Sequence, residues 1–326
     1  MQIYILLTEN CNLNCSMCIR GKQQGMNMDI DLLEKVFMEN DFSEHEIVIT
    51  GGEPTLHNKF VDVVRYVCNK AKYVTVATNG TNSNIVQQLE GCDNLLYQIS
   101  LDGDKEDHNA IRGNGSFEKT WETILELEQS NSRYAIASVV SKKNYKNICK
   151  LVKYLENLRN MMYWRISYEM PFGNSGFKNI MSADEWNNFV DEILKQARFR
   201  VQIQKIFPFD LYEKHRVKLE ENYEKKKRSM NCGSGKDKIY IYPNFKVYPC
   251  TCLTDFCIGN LKEQTLCEIL HGEKNNIFMN YRPNKMSICN ECEYLKFCNG
   301  GCMGMSYHYF GKLGVGDIRC PKLNNG

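Results

Sequence analysis

No run of about eighteen consecutive apolar residues occurs in this 326-residue sequence, which argues against a membrane-spanning helix. A basic segment followed by an apolar one is missing from the start, so no secretory signal is read there. A dominant charge is missing too. Lys and Arg number 41 against 39 Asp and Glu, and a formal net charge of +2 gives no general pull toward nucleic acid or membrane. These absences lead us to expect a cytoplasmic protein without nucleic-acid or membrane partners. In that reducing setting its sixteen cysteines do not read as a disulfide framework.

Cysteine is what the sequence has in excess, and its placement is uneven. Three fall at 11–18, three are scattered (Cys68, Cys92, Cys149), and ten crowd into 232–320. The first group, Cys11-x3-Cys15-x2-Cys18, directly follows an apolar strand-like run from Ile3 to Leu7. Thiolates select iron–sulfur clusters, zinc or copper(I). Structural zinc takes four ligands, and the next histidines, His45 and His57, are distant in sequence. A cubane cluster normally takes one thiolate per iron. Three thiols would therefore leave one iron open, an arrangement suited to chemistry rather than to stapling.

Up to residue 206, short apolar strands alternate with amphipathic helices. Strands are expected at 46–50, 73–78, 95–101, 134–140, 162–169 and 199–206. Helices are expected at 31–40 (capped by Asp29), 59–70, 83–90, 116–130, 145–158 and 183–197. Such alternation implies right-handed βαβ units and a parallel sheet. Periodicity leaves open a partial barrel or a doubly wound sheet, and both place function at the C-terminal strand ends. Gly51-Gly52-Glu53-Pro54, Thr78-Asn79-Gly80 and Ser100-Leu101-Asp102-Gly103 lie at those ends. The glycine pair permits close backbone approach to a ligand, and the neighbouring carboxylate can accept from an ammonium group.

This cysteine triplet and these strand ends resemble the radical S-adenosylmethionine (SAM) superfamily. The resemblance implies a partial (β/α)6 TIM-like barrel of α/β class. It also implies a [4Fe-4S] cluster held by Cys11, Cys15 and Cys18, with the open iron chelating SAM. SAM contacts are then expected from Gly51, Gly52, Glu53, Pro54, Thr78, Asn79, Ser100, Asp102, Arg112 and Ser138. Met17 stands where most members carry an aromatic packed near the adenine; methionine can fill that gap, with altered packing.

Residues 207–231 break the pattern at Phe207-Pro208-Phe209 and end in Glu224-Lys225-Lys226-Lys227-Arg228. We read them as a solvated helical bridge between domains at 1–206 and 232–326; the alternative is a contact to an acidic peptide. Beyond it, Cys289-x2-Cys292-x5-Cys298-x3-Cys302 is the strongest metal signal, flanked by Cys232, Cys250 and Cys320. A hairpin (238–242, 246–248) delivers Cys250. Tetrahedral zinc is the alternative for such C-x2-C pairs. The arrangement resembles the SPASM domain, a cysteine-rich module of hairpin, short helices and loops that carries auxiliary clusters. The resemblance implies Cys232, Cys250 and Cys302 on auxiliary cluster I, and Cys289, Cys292, Cys298 and Cys320 on cluster II. Seven cysteines leave two clusters one ligand short; Cys252 or Cys257 could supply it, or the last iron could stay open for substrate. Phe245 replaces the glycine usual before Cys250. Cys68, Cys92, Cys149 and Cys267 read as small buried hydrophobes.

The resemblance therefore implies an enzyme with three [4Fe-4S] clusters and SAM, supplied with electrons by a flavodoxin or ferredoxin. Its expected reaction is oxidative cross-linking (thioether, C–C or ether cyclophane) of a ribosomally made precursor peptide. The extra N-terminal domain with which many relatives capture leader peptides is not seen, so a short or separately presented substrate is expected. Formylglycine formation is a further reading, although Thr251 stands where sulfatase maturases usually carry aspartate. Small-molecule oxidation, or a structural metal-binding protein without catalysis, are the others. Glu169, Arg165, Tyr168 and His308 are the candidate catalytic residues.

Overall fold

The computed structural model describes residues 1–21, 24–226 and 233–324. Its framework is one ten-stranded sheet, ordered β10-β9-β8-β1-β2-β3-β4-β5-β6-β7. Seven strands follow the predicted series: β1 (Gln2–Thr8), β2 (Glu46–Gly51), β3 (Tyr73–Thr78), β4 (Leu95–Ser100), β5 (Tyr134–Val140), β6 (Met161–Tyr168) and β7 (Val201–Gln202). All pair in parallel in chain order. Among the described residues β7 and β10 are the unpaired ends, so the barrel is open.

Period-two alternation gives the sheet two different faces. Ile3, Ile5, Ile47, Ile49, Val74, Val76, Ile99, Ile136 and Trp164 are buried in the main apolar cluster. The helices contribute Leu33, Val36, Phe60, Val64, Val67, Ile124, Trp186 and Phe189 to that cluster. Burying these rows drives the outer layer onto the sheet. Residues on the opposite face, including Tyr4, Thr75, Gln98 and Arg165, line a central cavity. The predicted cap at Asp29 is present, accepting from the Leu32 amide at 3.2 Å.

The differences from the pattern have local causes. The helix expected over 145–158 is a 3-10 turn (Ile148–Lys150) followed by Leu151–Leu155. Asn144 bonds the Ser141 amide through its side chain at 3.0 Å, giving the segment before it a turn. The helix at 83–90 shortens to Ile85–Gln88, and the last strand to Val201–Gln202. A helix, Lys105–Arg112, was not expected; its composition is polar and its start is set by Asp104 accepting from the Asp107 amide. Residues 209–226 form two helices, Phe209–Lys214 and Arg216–Lys226. They are tied to the cysteine-rich region: Tyr294 Oη donates to Glu213 at 2.6 Å, and Arg216 pairs with Glu293 at 3.1 Å. Lys227, Arg228 and Cys232 lie outside the described residues.

The hairpin of β8 (Lys238–Ile241) and β9 (Lys246–Tyr248) forms as expected, and β10 (Gly259–Asn260) adds to it. Its attachment was not legible in sequence: β8 pairs in parallel with β1, matching Ile3 to Ile239 and Ile5 to Ile241. One sheet thus runs through both cysteine-bearing regions. Phe245 in the hairpin turn takes φ +65°, a left-handed conformation costly for a bulky residue. Its ring is buried, and its amide bonds the Tyr242 carbonyl at 2.8 Å, which holds the conformation in place. No helix among the described residues is long and apolar enough to cross a membrane.

Candidate functional site

The cluster loop leaves β1 and is held from three sides. Gly51 and Gly52 pass directly against it: a Cβ on either would collide with the backbone carbonyl of Thr8 or Asn10. The Glu53 amide donates to the Asn10 carbonyl at 2.7 Å. The Ser16 amide bonds the Ile111 carbonyl at 2.9 Å, and Asn174 Nδ2 donates to the Cys15 carbonyl at 3.0 Å. Asn12 and Asn79 join side chains at 2.8 Å, fixing the loop to the end of β3. Cys11, Cys15 and Cys18 all face the central cavity.

Glu53 is 1 % exposed and has no basic side chain within ion-pair distance among the described residues. Its carboxylate accepts from Thr78 Oγ1 at 2.7 Å, the Asn79 amide at 2.7 Å, Thr55 Oγ1 at 2.8 Å and the Thr55 amide at 3.2 Å. Burial pushes its pKa upward while these donors pull against the shift. A buried carboxylate facing the thiol loop is a receptor for a cation. Arg112 occupies the other side, its Nε donating to Asp102 at 2.5 Å and its Nη1 lying 3.9 Å from Cys15 Sγ. Burial raises the Cys15 thiol to about 11, with the Arg112 charge opposing that rise.

The expected SAM contacts separate into two sets. Met17, Gly51, Gly52, Glu53, Thr78, Asn79, Ser100 and Arg112 line the cavity. Asp102 and Ser138 are buried behind it: Asp102 grips Arg112 and accepts from the Val139 amide at 2.7 Å, while Ser138 bonds Leu101 and Trp164. Pro54 starts the short 3-10 turn that aims Glu53.

Arg165 and Tyr168 face the cavity, which encloses about 670 Å³. Tyr168 Oη donates to the Met181 carbonyl at 2.6 Å, and Ser175 donates to the buried Glu169. His308 stacks on Phe172 at 4.1 Å and bonds the Cys252 carbonyl at 2.7 Å, joining the two cysteine regions.

In the C-terminal region the Cys252 amide lies 3.5 Å from Cys250 Sγ. A Cβ added to Gly304 would sit 3.6 Å from Cys302 Sγ and 3.7 Å from Cys252 Sγ, so these thiols share one neighbourhood. Cys257 instead points its thiol at the Gly259 carbonyl, 3.3 Å away. Cys289, Cys292, Cys298 and Cys320 ring a separate cavity of about 260 Å³. Gly316, at φ +122°, closes that cradle, where a Cβ would lie 3.2 Å from Cys289 Sγ. Cys267, expected to be buried, is exposed because Leu266 and Ile269 occupy the inner face of its helix.

Among the described residues no three His, Cys, Asp or Glu side chains close on one point tightly enough for a single ion. Thiolates are the donors that iron–sulfur clusters take, so the chemistry of both cysteine sets fits such clusters. One group had no sequence signal: buried Asp317, gripped by Arg319 at 2.7 Å, accepts from the Cys302 amide at 3.0 Å. It links Cys302 to the segment carrying Cys320.

A family model for the radical SAM superfamily matches residues 5–155, and one for an iron–sulfur cluster-binding domain, SPASM, matches residues 232–293. An AdoMet-dependent heme synthase of Methanosarcina barkeri is 26% identical, covering 92% of this chain and 90% of its own length. The antilisterial bacteriocin subtilosin biosynthesis protein AlbA of Bacillus subtilis is 27% identical, covering 91% of this chain and 65% of its own. In fold, Streptococcus suis SuiB bound to S-adenosylmethionine superposes with a TM-score of 0.80 at 17% identity, covering 98% of this chain and 77% of SuiB.

Proposed function

The chain is an enzyme of the radical SAM superfamily carrying a SPASM iron–sulfur domain, and on that premise we propose that it is an oxidative maturase of a ribosomally made peptide. When bound, the clusters and SAM supply a 5′-deoxyadenosyl radical to take hydrogen from an unactivated C–H and an acceptor for the electron left behind. Residues of the chain bind, orient and shield. Glu53 receives the SAM ammonium, Gly51 and Gly52 admit it closely, and Ser100 and Met17 face the rest of the cofactor. Arg112 places its positive charge beside Cys15, and Asp102 holds it there.

We assign Cys11, Cys15 and Cys18 to the SAM-binding cluster, and Cys289, Cys292, Cys298 and Cys320 to one auxiliary cluster. Cys232, Cys250, Cys252 and Cys302 hold the other, for three in total. Cys257 is left out because its thiol faces Gly259. A flavodoxin or ferredoxin is the electron source in this reading.

One observation carries the oxidative outcome. Thr251, between Cys250 and Cys252, stands on the wall of the same cavity that Cys11, Cys15 and Cys18 face. Substrate in that cavity is thus within reach of both metal regions. The bacteriocin relative favours a peptide; the heme synthase relative favours a second reading, oxidation of a carboxylated tetrapyrrole.

The test is anaerobic co-production with each short open reading frame found beside the gene. Loss of two hydrogens from the peptide, placed between two residues by tandem mass spectrometry, is expected. An aldehyde at Cys or Ser would instead indicate formylglycine formation. Absence of 5′-deoxyadenosine with SAM and dithionite would overturn the enzyme reading altogether.

A further inference from the structure

Across from the SAM-facing strand ends, the cavity wall carries cationic side chains to which the cofactor reading gives no role. In β4, β5 and β6 the register aligns Ser100, Ala137 and Arg165 in one row. With strands spaced about 4.8 Å apart, the Arg165 backbone lies about 10 Å across from that of Ser100. Ala137 between them is small, so nothing bulky separates the guanidinium from the upper cavity. Arg165 Nη1 donates to Gln98 Oε1 at 3.5 Å, a single neutral contact for a group with five donors. One inward step lower, the Arg200 guanidinium lies 5.7 Å over the Tyr163 ring.

The charge balance differs between the two levels. At the rim, Arg112 and Arg20 are matched by Asp102 and Glu9. Neither Arg165 nor Arg200 has a carboxylate within ion-pair distance among the described residues. Glu46, at the bottom of β2, also lines this cavity and keeps its charge, since its contact is the neutral Gln2 Nε2 at 2.9 Å, but it forms no ion pair with either arginine. A half-buried guanidinium facing a cavity without a counter-ion forgoes Coulombic energy that an incoming anion would recover. The planar fork suits a carboxylate in particular.

We propose that Arg165, seated by Gln98, anchors a carboxylate of the substrate: a Glu or Asp side chain, or the C-terminus, of the peptide. Held there, the carboxylate sits across the cavity from Ser100, in the same row of the sheet, and presents a neighbouring carbon toward Ser100 and the cluster loop. Arg200 on Tyr163 raises the local positive potential from beneath. Two sources share this chemistry, since tetrapyrroles also bear carboxylates; the peptide source rests on the function proposed above.

Binding is read anaerobically on the SAM-loaded holoenzyme by calorimetry. Two pentapeptides, acetylated at the N-terminus and amidated at the C-terminus, that differ only by Glu or Gln at the centre form the first pair, and mesoporphyrin and its dimethyl ester the second. The Glu peptide is expected to bind at least about tenfold more tightly than the Gln peptide. That preference is expected to vanish in Arg165→Met and to be partly kept in Arg165→Lys. Acid-over-ester preference for the porphyrin alone, dependent on Arg165, would uphold the anchor and overturn the peptide source. Equal binding of acid and amide with no porphyrin preference, no binding of any probe, or an undiminished preference in Arg165→Met would overturn the anchor. So would a parallel loss of SAM affinity in Arg165→Met, which would place Arg165 in the cofactor site. The acid–amide comparison on the unaltered chain keeps the test standing should a variant misfold.

Discussion

The rings of Tyr4 and Tyr240 stack with centroids 4.4 Å apart, across the seam where β1 meets β8. Barrel and cysteine-rich region therefore share backbone hydrogen bonds and side-chain packing along one line. Tyr240→Ala should destabilise the protein by about 1–3 kcal/mol, from lost stacking and lost buried area. Chemical unfolding followed separately by near-ultraviolet dichroism and by cluster absorbance should give coincident midpoints, both displaced in the variant. Two separated transitions would show that the seam does not couple the regions.

Glu53 is the one buried anion facing the thiol loop that carries no basic partner among the described residues. Glu53→Gln preserves shape and most of the hydrogen-bonding capacity while removing charge. SAM affinity, read by equilibrium dialysis on the reconstituted protein, should fall about tenfold or more. Iron content should stay at the wild-type level, since the thiols are untouched.

Cys252, proposed as a ligand, and Cys257, left out, carry opposite predictions. Cys252→Ala should release about four irons per chain, or leave an unstable cluster visible by Mössbauer spectroscopy. Cys257→Ala should leave iron content and spectrum unchanged. The reverse pattern would move the ligand role to Cys257.

His108 lies fully buried beside Asp102, whose amide donates to its Nδ1 at 3.2 Å. Burial holds its pKa down at about 4, against an ordinary value of 6.5. Above the ordinary value the ring is neutral in folded and unfolded chain alike, and its contribution is constant. As pH falls between the two values the unfolded chain takes a proton that the folded one refuses, so stability drops, by up to about 3 kcal/mol. Below about 4 the loss is complete. Urea midpoints across this window should decline less steeply for His108→Gln than for wild type.

Much of this was readable from residue pattern alone. β1 to β6 follow from alternation of apolar residues, and the cluster loop and Glu53 from their place at strand ends. The helix Lys105–Arg112 was not, because its turns carry almost no apolar stripe and its stability comes from the Asp104 cap and the buried Arg112. Partner choice for β8 was equally silent: Lys238 to Ile241 reads as half of a hairpin, and nothing local states that its other edge meets β1. Asp317 and Arg319 look like a charged turn in sequence; burial makes them a brace for Cys302. Cys267 shows the same limit, since its helix is short enough that two apolar residues decide which side faces in.

Among the described residues the sheet ends at β7 on one side and β10 on the other, and these two edges do not pair. A closed barrel would admit only a loop tip or a chain terminus from above. Unpaired edges would let the proposed peptide be laid in from the side at any point of its length, so a reactive residue far from either end of a precursor would be as accessible as one at its tip.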